Sequence, residues 1–309
     1  MIEGITEPGK TVLWKNFFSF PAFSIAIDGY VKGPTRYNQV GPRLNLNHHE
    51  GVDRLSTRST SGQMLMYIKQ GLFKRFNEKG TPKAIIYRND CDQDVSLTYW
   101  LAKNNERISH TKSEPLINRL VFAEDALDTT AGAYPLSLDS DLMRDVAWIF
   151  DPYTSVIRKV PSMNATEMDN VIDSIGARID KYTLGKGEKL EPDARLEMLY
   201  SGVGWAMISE TGFYARSKLL NSGTFAFITY RGESNGGHRY SLGKMSPFID
   251  FPLQDLYKHY NEIEGISLED TDKWGGGDTT GGSPRIRGSK MPAAQLASVT
   301  EQFIKNHRD

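Results

Sequence analysis

Residues 83–102 read KAIIYRNDCDQDVSLTYWLA. A short apolar run, Lys83–Tyr87, gives way to a polar turn with aspartates at 90, 92 and 94. An apolar helical segment, Val95 to Ala102, follows. This is a strand, a turn and a helix in sequence. Two neighbouring stretches have the same elements. Phe23-Ser-Ile-Ala-Ile-Asp28 has the pattern of a buried strand ending at Asp28-Gly29. Beyond a Gly/Pro/Asn-rich loop, Arg43–Asn47 alternates apolar residues as a second strand, and helical spacing starts at Thr60 and runs to about Leu72. Thr60 and Gln63 have the separation of a capping box, and Met64, Leu65, Ile68 and Leu72 line one face. A further helix starts near Pro115 and carries Leu116, Leu120 and Leu127. Strand, polar turn and helix in repetition predict an α/β fold, a largely parallel sheet flanked by helices. Ligands collect at the carboxyl ends of such strands. Asp28, His48/His49 and Asp90/Asp92/Asp94 all follow predicted strands, so this architecture brings them to one edge.

The second half has a different pattern. Residues 166–182 form an amphipathic helix, and a charged, glycine-containing stretch runs from there to about Pro192. Val203–Ser209, Thr224–Tyr230 and His238–Leu242 read as strands, Leu253–Tyr260 and Ala293–Lys305 as helices. The expected organisation is a metal-binding catalytic domain over 1–160, a helical linker over 161–195, and a smaller α+β domain with a mixed sheet over 196–309.

Composition narrows the function classes. A 39% hydrophobic and 24% charged chain is ordinary for a globular protein. A net charge of −1 gives no long-range attraction to nucleic acid, which argues against a duplex-coating protein. A local basic cleft for a short phosphorylated ligand stays open. The single cysteine, Cys91, excludes an intrachain disulfide and a cysteine-based zinc site. The first twenty residues lack the pattern of a secretory signal, and no run of about 18 apolar residues is present. The expected compartment is the cytosol, with no membrane partner.

Several clusters have residues suited to chemistry. Three carboxylates as close as Asp90, Asp92 and Asp94 repel unless a cation neutralises them, and a divalent cation prefers such oxygen ligands. A polar turn capping the next helix accounts for the same residues. His48-His49 is a ligand pair or a hydrogen-bonding pair. The Ser/Thr-rich segment after it, with Arg54, Arg58 and Ser59, opens a helix and suits an anion; ordinary capping explains it too. Glu124, Asp125 and Asp128 occupy a predicted helix, as metal-binding groups or as a solvated acidic face. The glycine stretch 275–282, followed by Arg285, lets backbone approach a ligand closely, or forms a loop. No nucleophile elbow, P-loop or dinucleotide fingerprint is present.

Taken together, these clusters resemble the DHH phosphoesterase superfamily, named for an Asp-His-His motif and including RecJ-type and MYG-type nucleases. Asp90-Cys-Asp-Gln-Asp94 is similar to its alternating-aspartate motif, Asn47-His48-His49 to its signature, Asp28 to its bridging aspartate, and Asp128 to the residue that completes the metal site. Trp274-Gly-Gly-Gly-Asp278 resembles the glycine turn of the accompanying DHHA-type substrate domain. The resemblance implies two Mn²⁺ or Mg²⁺ ions on Asp28, His48, Asp90, Asp92, Asp94 and Asp128, with Asp125 ligating or one layer out. It implies that His49 donates to a phosphoryl oxygen, and that Arg58, Ser59, Gly276, Gly277, Asp278 and Arg285 bind the substrate. The implied substrate is a small nucleotide or a short single-stranded oligonucleotide; a homodimer is left open. The chain departs from the pattern in three ways. The aspartate triplet follows the histidines instead of preceding them, Asn47 replaces the first Asp, and Asp278 stands where the turn has His. The last two favour the alternative, a nucleotide-binding or regulatory protein of the same fold without turnover.

Overall fold

The structure, a computed structural model, describes residues 1–234 and 236–308. It is a mixed α/β protein whose contacts divide the chain into two units. The first unit comprises Met1–Ala131 and Asp139–Glu191. Its sheet contains β1 (Ile2–Thr6), β2 (Ser24–Ile27), β3 (Arg36–Asn38), β4 (Arg43–Leu46) and β5 (Ala84–Arg88), in the order β1-β5-β2-β4-β3. Every pairing is parallel except the edge pair of β3 with β4. All four residues of β2 are buried. A central parallel strand covered on both faces is apolar along its length, and this is why Ser24-Ile-Ala-Ile27 lacks alternation.

The longer helices of this unit are α1 (Thr60–Lys69), α2 (Gln93–Lys103), α3 (Pro115–Thr129), α4 (Asp141–Thr154) and α5 (Ala165–Thr183). The N-cap of α1 is Ser59, whose hydroxyl accepts the Gly62 N–H at 3.2 Å. The expected capping box of Thr60 and Gln63 does not form, because the cap lies one residue earlier and Gln63 donates to the Asn47 and Arg58 carbonyls. The helix ends at Lys69. Gly71 then adopts φ +93°, and Leu72 opens a separate short helix instead of continuing α1. In α5, Asn164 and Glu167 cap each other's backbone amides at 3.0 and 2.8 Å. This helix buries Met168, Val171, Ile172, Ile175, Ile179 and Tyr182, and packs on α2 and α4. Burying side chains of this size contributes about 1.5–3 kcal/mol each. Residues 165–183 are thus part of the first unit, where the sequence suggests a linker, and the boundary falls at Glu191/Pro192.

The second unit comprises Gly132–Leu138 and the chain from Pro192 onward. Its strands are β6 (Leu196–Ser201), β7 (Ala206–Glu210), β8 (Ala226–Ser234), β9 (Gly237–Lys244), β10 (Gly275–Gly276) and β11 (Thr280–Gly282). They form a mixed sheet in the order β6-β7-β8-β9-β11-β10, parallel only between β7 and β8. Trp205 and Met207 face a core with Tyr240, Phe251, Tyr260 and Trp274, whereas Ala206 and Ile208 face Leu219 and Leu220. That alternation is the two-residue period of a strand. Among the described residues, no helix is long and apolar enough to cross a membrane.

The glycine stretch is a tight hairpin at the edge of this sheet. A Cβ on Gly276 would stand 2.3 Å from the Gly281 Cα and 2.5 Å from the Thr280 carbonyl oxygen. Gly276→Ala is therefore expected to lower stability by about 1–3 kcal/mol through overpacking, read by denaturant unfolding of the whole chain. An unchanged midpoint would show that the hairpin tolerates a side chain.

Candidate metal centre

Asp28 follows β2, and its amide donates to the Leu46 carbonyl at 3.0 Å, which keeps it beside β4. Its backbone then turns left-handed, with φ +47°, and Gly29 follows at +79°. Aspartate tolerates this region better than most residues, but the conformation is still a strained one. His48 and His49 come just after β4, so adjacent parallel strands deliver the aspartate and both imidazoles to the same edge. His49 Nε2 lies 2.6 Å from Asp28 Oδ1. His48 is wholly buried, with Nε2 at 2.8 Å from Asp128 Oδ2, 3.3 Å from Asp28 Oδ1 and 4.0 Å from Asp94 Oδ2. None of these approaches has the alignment of a hydrogen bond, and neither ring nitrogen of His48 has a hydrogen-bond partner.

The carboxylates are held from outside the cluster. Asp94, in the first turn of α2, accepts the amides of Thr60 and Ser61 at 2.7 and 2.8 Å, one on each oxygen. Asp92 caps α2 by accepting the Val95 amide at 2.8 Å. Asp90 accepts the Cys91 amide at 2.6 Å. Asp125 accepts the Ser59 amide at 2.6 Å and pairs with Arg58 at 3.3 Å. Arg54 donates to the Asp128 carbonyl at 2.8 Å and lies 3.7 Å from its carboxylate.

Among the described residues, two groups have the spacing of a metal site: Asp28 with His48 and His49, and His48 with Asp94 and Asp128. Asp90 and Asp92 belong to neither group but lie close enough to Asp28 for its charge to act on them. Asp125 is turned to Ser59 and Arg58. The amides expected to receive a ligand anion at the start of α1 are taken by the protein's own carboxylates, Asp125 and Asp94. The anion-seeking character read from the sequence is satisfied internally. Gly276, Gly277, Asp278 and Arg285 are in the second unit. There the Gly276 and Gly277 carbonyls accept from Gln254 Nε2 at 3.2 and 3.0 Å, and Arg285 is exposed.

Burial and mutual repulsion dominate the electrostatics. Burial pushes Asp94 up to about 7, helped by Asp128 and Asp28 and opposed by His48. Asp90 and Asp92 are raised by burial and by Asp28. Burial also works against ionisation of Asp28, yet His48 and His49 hold it below the usual carboxylate range. For His48, burial favours the neutral ring, but Asp128 and Asp28 overcome it and push the imidazole up to about 10. Burial and the nearby aspartates push the Cys91 thiol up to about 12, which makes it a poor nucleophile.

Asn47 does not enter the cluster. Its Nδ2 donates to the Val31 and Gly33 carbonyls at 3.3 and 2.9 Å, and its Oδ1 accepts the His49 amide at 3.0 Å. An aspartate could make only the last of these bonds. Thr35 and Gln63, neither evident from the sequence, complete the support by bonding the Asn47 backbone. Asn47→Asp is expected to cost about 1–3 kcal/mol or more, because two carbonyls lose their donor and meet a charge. Thermal unfolding of the variant checks this; equal stability would mean that the loop rearranges.

No protein-family model, curated protein or solved structure matches this chain.

Proposed function

We propose that this chain is a metal-dependent phosphoesterase that hydrolyses a phosphodiester or phosphoanhydride bond in a small nucleotide or short oligonucleotide. The observation that carries the reading is His48. A wholly buried imidazole with no hydrogen-bond partner, facing three carboxylates, is the donor set of a Mn²⁺ or Mg²⁺ site rather than of a packed core. His48, Asp94 and Asp128 would hold one ion, with Asp28 beside His48, and Asp90 and Asp92, within reach of the charge on Asp28, would be carboxylates for a second. Bound there, such ions supply Lewis acidity and a water that ionises near neutral pH.

The protein's own residues do the rest. Two helix amides fix the orientation of the Asp94 carboxylate, and each of its oxygens keeps a lone pair for a cation. His49, the more exposed of the two rings, is oriented by Asp28 and would donate to a phosphoryl oxygen from the solvent side. Arg54, anchored on the Asp128 carbonyl, adds positive charge beside the cluster for the same group. Asn47, which the sequence alone reads as a lost ligand, supports the His49 backbone and removes nothing from the site.

Metal-stripped protein is expected to release nitrophenol from bis-p-nitrophenyl phosphate only when Mn²⁺ or Mg²⁺ is restored. Asp28→Asn and His48→Gln should each reduce kcat/KM by about 10–100-fold or more. Turnover that ignores both metal and Asp28→Asn would sink the proposal. Metal and nucleotide binding without turnover would support the regulatory alternative instead.

A further inference from the structure

A further buried carboxyl group accompanies the cluster. Glu124 lies one helical turn before Asp128 in α3, so the two share a face. It is only 2% exposed, and its Oε2 has no hydrogen-bond partner. The arginines nearby are committed elsewhere, Arg54 to Asp128 and Arg58 to Asp125. The charges that act on Glu124 most strongly are those of Asp128, Asp94, Asp28 and Asp125, all of them negative. Together with burial they raise its pKa well above the usual range.

A solvated acidic face, one of the two sequence readings of this helix, does not describe Glu124. Buried carboxyl groups are otherwise found paired or hydrogen-bonded, because an unsatisfied one is costly whether ionised or neutral. A neutral acid would remove the repulsion and still leave Oε2 without a partner. His48 is the independent sign that a ligand belongs here: it too is buried, lacks hydrogen bonds, and faces Asp28, Asp94 and Asp128.

We propose that Glu124 is a further carboxylate of the cation site, its Oε2 reaching a hard divalent cation directly or through one water. The inference rests on the metal reading above and extends the ligand set beyond the residues that the sequence pattern supplies. It also makes the site strongly anionic. That favours Mn²⁺ or Mg²⁺, which prefer oxygen, over softer metals.

The test is calorimetric titration of Mn²⁺ into the metal-stripped full-length chain, with thermal unfolding of the same samples. Glu124→Gln is expected to weaken Mn²⁺ binding about tenfold or more. Without metal, the variant should unfold near the wild-type temperature, since Gln keeps the shape of a carboxyl group that burial and the neighbouring aspartates already hold toward its neutral form. Glu124→Asp, which keeps the charge, should bind Mn²⁺ more tightly than Glu124→Gln. Equal Mn²⁺ affinity of Glu124→Gln and wild type would overturn the proposal and leave the metal site intact. So would a metal-free Glu124→Gln that unfolds well below wild type, or Asp binding no better than Gln. A wild-type chain that takes up no Mn²⁺ would overturn the metal reading itself, and this inference with it.

Discussion

The Asp94 carboxylate, bonded through both oxygens to the first amides of α1, is the contact on which the first unit depends. It joins the helix that follows β5 to the helix that follows β4. It also brings the positive ends of two helix dipoles to the same buried region, each equivalent to roughly half a charge. Asp92 at the start of α2 and Asp125 on the Ser59 amide repeat the theme. Without such dipoles, this density of buried carboxylates would be prohibitive. With them, part of the repulsion is offset by backbone, and the remainder holds Asp90, Asp92 and Asp94 above the usual carboxylate range.

The other half of the site depends on strands. Parallel pairing of β2 with β4 fixes Asp28 beside the two histidines, and a left-handed backbone at Asp28 and Gly29 turns the chain at that point. Asn47 then holds the loop through three hydrogen bonds to backbone groups, one of them the His49 amide. A residue that looks like a missing ligand is therefore a support. The charge lost relative to an aspartate is no loss to the cluster, because this side chain does not reach it.

The hairpin of the second unit has a packing reason for two of its glycines. Gly276 and Gly281 approach too closely for any side chain between them, and a Cβ on Gly281 would also meet the Tyr257 hydroxyl. At these positions the glycines that suggest a ligand in the sequence are required by the hairpin itself.

How much was legible follows from the range of each interaction. Periodicity and turn chemistry are local, so the sequence by itself determined β2, β4, β5, α1, α2 and α3 to within a few residues, and with them the parallel sheet. It also placed Asp28, His48, His49, Asp90, Asp92 and Asp94 after strands that share one edge, because a strand end is a local feature; Asp128, on α3, was singled out by resemblance alone. Glu124 was written in the α3 stripe, at Val121 plus three and Leu127 minus three, but a carboxylate in an apolar stripe reads as exposed until its neighbours are known. The rest was decided only by tertiary structure. Which anion occupies the start of α1, whether Asn47 faces the cluster or the backbone, and which unit receives residues 132–138 and 165–183 depend on contacts between distant segments. No local pattern encodes them.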